Sequence, residues 1–201
     1  MFGSIDPLLL LASLMVAATP IMLAAIGELV VERSGVLNLG VEGMMITGSI
    51  VGFIAAIMTG SPWLGFIAAA FGGAAMALLF GILTQLLMSN QVATGLALTL
   101  FGLGLAALMG QGYLGVKAPS FPDWDIPLLG DIPIIGPIVF QHDPMVYVGL
   151  TIVAGVWFFL NKTRAGLVLR AVGENHEAAH ALGYHVVRVR LLAIMFGGAC
   201  A

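Results

Sequence analysis

Charge is scarce in this chain of 201 residues: 8% are Asp, Glu, Lys or Arg, and only seven are Lys or Arg. So few cations, with a net charge of −3, exclude a basic surface for nucleic acid. A single cysteine, Cys200, excludes an internal disulfide and a cysteine-based metal cluster. The two lysines, Lys117 and Lys162, follow Val116 and Asn161, so no Gly-Lys pair exists to build a phosphate-binding loop. Any ATP that drives this protein is therefore expected on another chain. Residues 1–7 hold no Lys or Arg, which argues against a cleavable signal and for a retained first helix. The long apolar runs have no charge at their centres, which removes a proton relay or a counter-ion for a charged solute.

What fills the sequence instead is apolar side chain, 60% of residues, at a mean hydropathy of +1.09. A soluble domain of this size has too little interior to hide so much, so the expected solvent is lipid. The runs are long and do not alternate, which selects helices over a barrel and predicts an all-α, polytopic transmembrane bundle forming one domain over residues 1–201. Measured against the roughly 20 residues needed to cross about 30 Å of hydrocarbon, the runs are 8–27, 43–59, 63–88, 92–110, 145–160 and 191–201. That is about six spans, the last short enough to be expected to continue past Ala201.

Residues 111–144 carry Asp123, Asp125, Asp131 and Asp143, one cation, and prolines at 119, 122, 127, 133 and 137 before Pro144 closes the segment. The prolines argue against a spanning helix and predict an external loop over the channel mouth. Residues 161–190 carry Lys162, Arg164, Arg170, Arg188 and Arg190, and this excess of cations places the second loop in the cytoplasm. Counting back puts residues 28–42 and the turn at 89–91 inside, and the N-terminus outside.

Glycine is abundant, with 27 residues, and Gly48, Gly52, Ala56 and Gly60 fall on one helical stripe, as do Gly65, Ala69 and Gly73. Small residues four apart predict close helix packing, with a transport hinge as the second reading. Residues 27–43 are polar beyond expectation: Glu28, Glu32, Arg33, Asn38 and Glu42 alternate with glycines at 35, 40 and 43. Glu28, Glu32 and Arg33 read as a cytoplasmic loop, whereas 34–43 reads as a broken or re-entrant segment at membrane depth. Asn38 and Glu42 are candidate pathway residues, against interhelical hydrogen bonding as the alternative. Gln85, Asn90, Gln91 and Thr94 carry the same pair of readings.

Three ordered motifs resemble one family. They are Ser34-Gly-Val-Leu-Asn-Leu-Gly-Val-Glu-Gly-Met-Met45, Asn90-Gln-Val-Ala-Thr-Gly-Leu-Ala-Leu-Thr99, and Thr163-Arg-Ala-Gly-Leu followed by Arg170-Ala-Val-Gly-Glu-Asn-His-Glu-Ala-Ala. The family is that of ABC-importer permeases of branched-chain amino acid and ribose systems, with the likeness strongest to general nucleoside and simple-sugar permeases. The chain looks like the first two-thirds of such a subunit. The resemblance implies a bacterial plasma (inner) membrane location, separate ABC ATPase subunits, a second permease subunit and an extracytoplasmic substrate-binding lipoprotein. It implies no cofactor, a neutral polar solute, and a cytoplasmic coupling helix that seats in a groove of the ATPase. That helix maps onto residues 174–182, bounded by Gly173 and Gly183, and includes Glu174, Asn175, Glu177, Ala178, Ala179 and Leu182. Asn175 suits an N-cap, Glu177 the positive helix end and Gly183 a left-handed stop. Ala178, Ala179 and Ala181 with Leu182 beside them would form the exposed small face.

Three competing readings are weighed against this one. His176-Glu-Ala-Ala-His180 matches the zincin pattern, but a third histidine would fall at position 186, which is Val186, and the motif lies in an Arg-rich loop. A secondary transporter would need internal repeats and mid-membrane carboxylates, and neither is evident. A branched-chain amino acid importer remains the alternative within the family, although a zwitterion would want a charged or dipolar partner at each end.

Overall fold

The computed structural model describes residues 7–121 and 144–201. Most of the external loop expected at 111–144 therefore lies outside the described residues. Within them the chain is an all-α bundle in which five helices are long and apolar enough to cross a membrane. The helices are α1 (Pro7–Arg33), α2 (Val41–Thr59), α3 (Pro62–Gly81), α4 (Gln91–Gly110), α5 (Pro144–Lys162), α6 (Arg164–Glu174), α7 (His176–Ala181) and α8 (Val186–Cys200). α8 is the sixth helix of the bundle and has 15 residues.

α2 and α3 form a tight hairpin because the residues between them are helix punctuation. Gly60 takes the left-handed conformation at φ +69° and returns its N–H to Ala56 O, and Pro62 opens α3 where its missing N–H costs nothing. Gly60 thus leaves the predicted stripe and serves as a stop, with nothing within 4 Å of where its side chain would stand. The other stripe positions do meet. A Cβ on Gly52 would stand 2.9 Å from Gly65 O, and one on Gly65 would stand 2.9 Å from Gly52 O. Backbone approach of this kind substitutes for the hydrophobic force that lipid does not supply between helices.

α3 packs next against α8, α8 against α1, α1 against α5, and α4 lies outside α2. α8 therefore occupies the middle of the bundle, where Ile194 is fully buried beside Phe80, Met44 and Val31. The α3–α8 crossing runs through Gly73 and Gly198, whose backbones touch, and the α1–α8 crossing through Gly27 and Gly197.

Two boundaries differ from the sequence-based reading. α1 continues to Arg33, so Glu28, Glu32 and Arg33 belong to its last turns and not to a loop. The segment 161–190 is largely helical: α6 follows α5 directly, capped by Thr163 accepting from Gly166 N, and α8 begins at Val186, which takes Arg188 and Arg190 into a helix. α6 forms because Gly166, Leu169 and Val172 recur at helical spacing and are all buried against the bundle.

Candidate functional site

Residues 34–40 join α1 to α2 without regular structure, turning at 34–35 and 39–40 around the three residues between. Burial alternates along them: Ser34, Val36, Asn38 and Gly40 point inward while Gly35, Leu37 and Leu39 are exposed. An irregular segment buried this way must have its backbone groups satisfied by protein. The polar residues flagged in the sequence do this. The Glu28 carboxylate, two turns back along α1, accepts from Asn38 N at 3.3 Å and Asn38 Nδ2 at 3.2 Å. Asn38 Oδ1 in turn accepts from Gly40 N at 3.0 Å. Gln91, at the start of α4, accepts from Leu37 N at 2.8 Å. Arg190, reaching from α8, donates through Nε to Ser34 O at 3.1 Å and through Nη1 to Gln85 Oε1 at 3.5 Å.

Gln85 arrives there because α3 ends in a π-helical turn, Ile82–Leu86, which widens the helix by one residue and leaves Thr84 and Gln85 buried. The turn closes with Met88 in the left-handed region at φ 53°, an uncommon conformation for a residue with a side chain. Ser89 then bonds Leu83 O and Thr94, while Asn90 caps α4 by accepting from Ala93 N.

Of the six pathway candidates, Asn38, Gln85 and Gln91 converge on the break. Thr94 and Asn90 order the adjoining turn. Glu42 stands apart, exposed in the first turn of α2. Sequence reasoning missed Arg190 as the residue that ties the break to α8 and α3. Its signal was a cation at the very start of an apolar run. Ser49, one of three hydroxyl residues of α2, is exposed two turns beyond Glu42 on the same helix face.

Asn38→Leu should therefore be costly. It removes the side-chain donor to the Glu28 carboxylate, leaving only the backbone N–H of residue 38, and strips Gly40 N of its acceptor, and each buried polar group so orphaned costs about 1–3 kcal/mol. Asn38→Asp sets a second carboxylate against Glu28 and should be no milder. Thermal unfolding of the purified variants checks this, and an unchanged midpoint for Asn38→Leu would contradict the network.

The second polar region is the α6–α7 corner. Asn175 ends α6, its N–H bonded to Ala171 O, and starts α7, its Oδ1 accepting from Ala178 N at 3.0 Å. Gly183, at φ +86°, stops the chain after α7. The expected helix over 174–182 is accordingly shorter, because Gly173 and Glu174 belong to α6. Ala179 is also not on the exposed face: it is 2% exposed and anchors α7 to the bundle, whereas Ala178, Ala181 and Leu182 face out. Gly173 packs directly on Arg33 O, and a Cβ on Gly35 would stand 3.1 Å from Gly173 Cα. The α6–α7 corner thus bears on the same break that Arg190 and Glu28 hold. His176 and His180 are both exposed, and among the described residues no group of three His, Cys, Asp or Glu is placed to hold a metal.

Comparison with known proteins follows this geometry. The putative glucose ABC transporter permease protein TsgC13 of Haloferax volcanii is 42% identical over 92% of this chain and 57% of its own length. The nucleoside ABC transporter permease protein NupC of Lactococcus lactis is 31% identical over 94% of the chain and 63% of its own. The guanosine ABC transporter permease protein NupQ of Bacillus subtilis is 32% identical over 92% and 61%. The chain spans about six-tenths of the length of these relatives. No solved structure matches it. A family described as branched-chain amino acid transport system / permease component matches residues 10–201, with the break, the π turn and the α6–α7 corner all inside the match. With five helices fit to span a bilayer and this match over nearly its whole length, the chain is a multi-pass membrane protein that belongs to that permease family.

Proposed function

We propose that the chain is the membrane-spanning permease part of an ABC importer in a bacterial plasma membrane, moving a neutral polar solute of the nucleoside or simple-sugar class. The observation that carries this reading is the family match over residues 10–201 together with relatives named for glucose, nucleoside and guanosine transport. The apolar centres of the spans agree, since they offer no counter-charge for an ionic solute. ATP is hydrolysed on partner subunits, a second permease subunit completes the path, and an extracytoplasmic binding lipoprotein delivers the solute.

The α6–α7 corner is the coupling region. α7 presents Ala178, Ala181 and Leu182 to the ATPase, and its displacement passes through Ala179 and α6 to the contact of Gly173 with Arg33 and Gly35. From there it reaches residues 34–40, whose side-chain hydrogen bonds come from three helices, α1, α4 and α8, with Arg190 of α8 also bonded to Gln85 of the π turn. A segment whose long-range bonds are made by side chains can exchange partners more readily than a regular helix, which suits it to open and close a path. ATP contributes through the differing affinity of the ATPases for the two states.

The test is solute uptake by the assembled importer in proteoliposomes with labelled uridine, glucose and leucine. Uridine or glucose should accumulate only with ATP and should raise ATPase turnover. Accumulation of leucine alone would move the assignment to amino acids, and transport by the permease without any ATPase would overturn the mechanism.

A further inference from the structure

α1 and α5 finish at the same end of the bundle, with Arg33 the last residue of one and Lys162 the last of the other. Between them opens a cleft of about 270 Å³. Its floor is apolar, formed by Leu29, Val156 and Leu160. Its only charged lining residues are Arg33 and Arg170, which stand together at the end of the span. Trp157 walls the cleft and is 59% exposed, at a level where an indole suits the boundary between hydrocarbon and headgroups.

The two arginines are unspent. Among the described residues neither has a hydrogen-bonded or ion-paired partner, and Arg170 Nε is buried without one. Glu32 and Glu174 border the separate polar cavity on the other side of these arginines, yet neither forms an ion pair with them. A buried guanidinium N–H without an acceptor is costly, and here it edges an apolar slot at membrane-interface depth. The slot fits an acyl chain, and the paired guanidiniums fit a phosphate, which Arg binds through parallel N–H donors.

We propose that this cleft is a binding site for an anionic phospholipid, with one acyl chain lying between α1 and α5 and the phosphate held by Arg33 and Arg170. The lipid would tie the ends of α1, α5 and α6 together beside the break at 34–40. The site is independent of which solute the protein carries.

Native mass spectrometry of the detergent-purified chain, loaded with phosphatidylglycerol or with phosphatidylcholine of the same chains, tests it. The wild type should retain phosphatidylglycerol preferentially. Arg33→Gln with Arg170→Gln should weaken that binding by about thirtyfold, to the level of phosphatidylcholine, with helix content by circular dichroism unchanged. Arg33→Gln alone, on an exposed side chain, should lose about fivefold and keeps the test open if the double variant does not fold. Arg164→Gln removes an exposed cation outside the cleft and should leave retention as it was. Equal retention of the two lipids by the wild type overturns the site, as does an equal loss in Arg164→Gln, which would mean diffuse surface attraction.

Discussion

Gly73→Leu is expected to lower the thermal midpoint of the purified protein more than any other change within α3. The reason is the crossing of α3 and α8, where the backbones at Gly73 and Gly198 are in contact and no side chain of any rotamer fits between them. A Cβ on Gly198 would stand 2.5 Å from Gly73 O, closer than real Cβ contacts come. Because the obstruction is backbone on both sides, relief requires moving a whole helix. α8 is also the centre of the bundle, so moving it disturbs the packing of α1 as well as α3. Overpacking of this kind costs about 3 kcal/mol, or about 6–12 °C for a chain of this size. Gly104→Ala in α4 is the matched control. Nothing lies within 4 Å of that position, so the helix propensity of alanine should raise stability by up to about 1 kcal/mol. Monodispersity and unfolding temperature in detergent decide between them. Equal behaviour of the two variants would mean that the α3–α8 crossing is not as close as described.

The sequence announced that crossing only in part. Gly48 and Gly52 fall on one helical stripe and Gly65 and Gly73 on another, and a stripe of small residues can be read without a structure because it repeats every four residues. Which helix answers Gly73 could not be read that way. Its partner Gly198 lies in the last apolar run, 125 positions along, and pairing across that distance is decided by the packing of all the helices together. A break was legible over 34–43, of which 34–40 is irregular and 41–43 opens α2, because Asn38 and the glycines depart so far from the surrounding composition that irregular backbone is the economical explanation. Their pairing was not legible, since Glu28 had first to be recognised as helical. α6 went unseen because it is only 11 residues long, too short to span, and the arginines among its apolar positions read as a loop. The position of Ala179 inside rather than outside follows from the same omission. Without α6, residue spacing alone does not say which face of α7 meets the bundle.

That face decides the experiment on coupling, in which Ala178→Glu should abolish co-purification of the ATPase while membrane insertion and the unfolding midpoint stay normal. Ala178 is exposed, as are Ala181 and Leu182, the last by 76%. A charged side chain there meets only solvent in the isolated chain. In a groove of the partner the same side chain would be overpacked and its carboxylate desolvated, a loss of the size seen at interface hot spots, about 2 kcal/mol or more. Binding should fall by about thirtyfold. Ala179→Leu gives a different signature. Ala179 packs on the bundle, so its enlargement should dislodge α7 and lower the midpoint together with ATPase binding. His176→Ala with His180→Ala should change little, because both rings are exposed and neither has a polar partner among the described residues. A membrane zinc protease would reverse the pattern: the double histidine variant would lose activity and bound zinc, and Ala178→Glu would be silent. The three variants therefore separate docking, folding and metal chemistry on a helix of six residues. Retention of the ATPase by Ala178→Glu would remove α7 as the docking element.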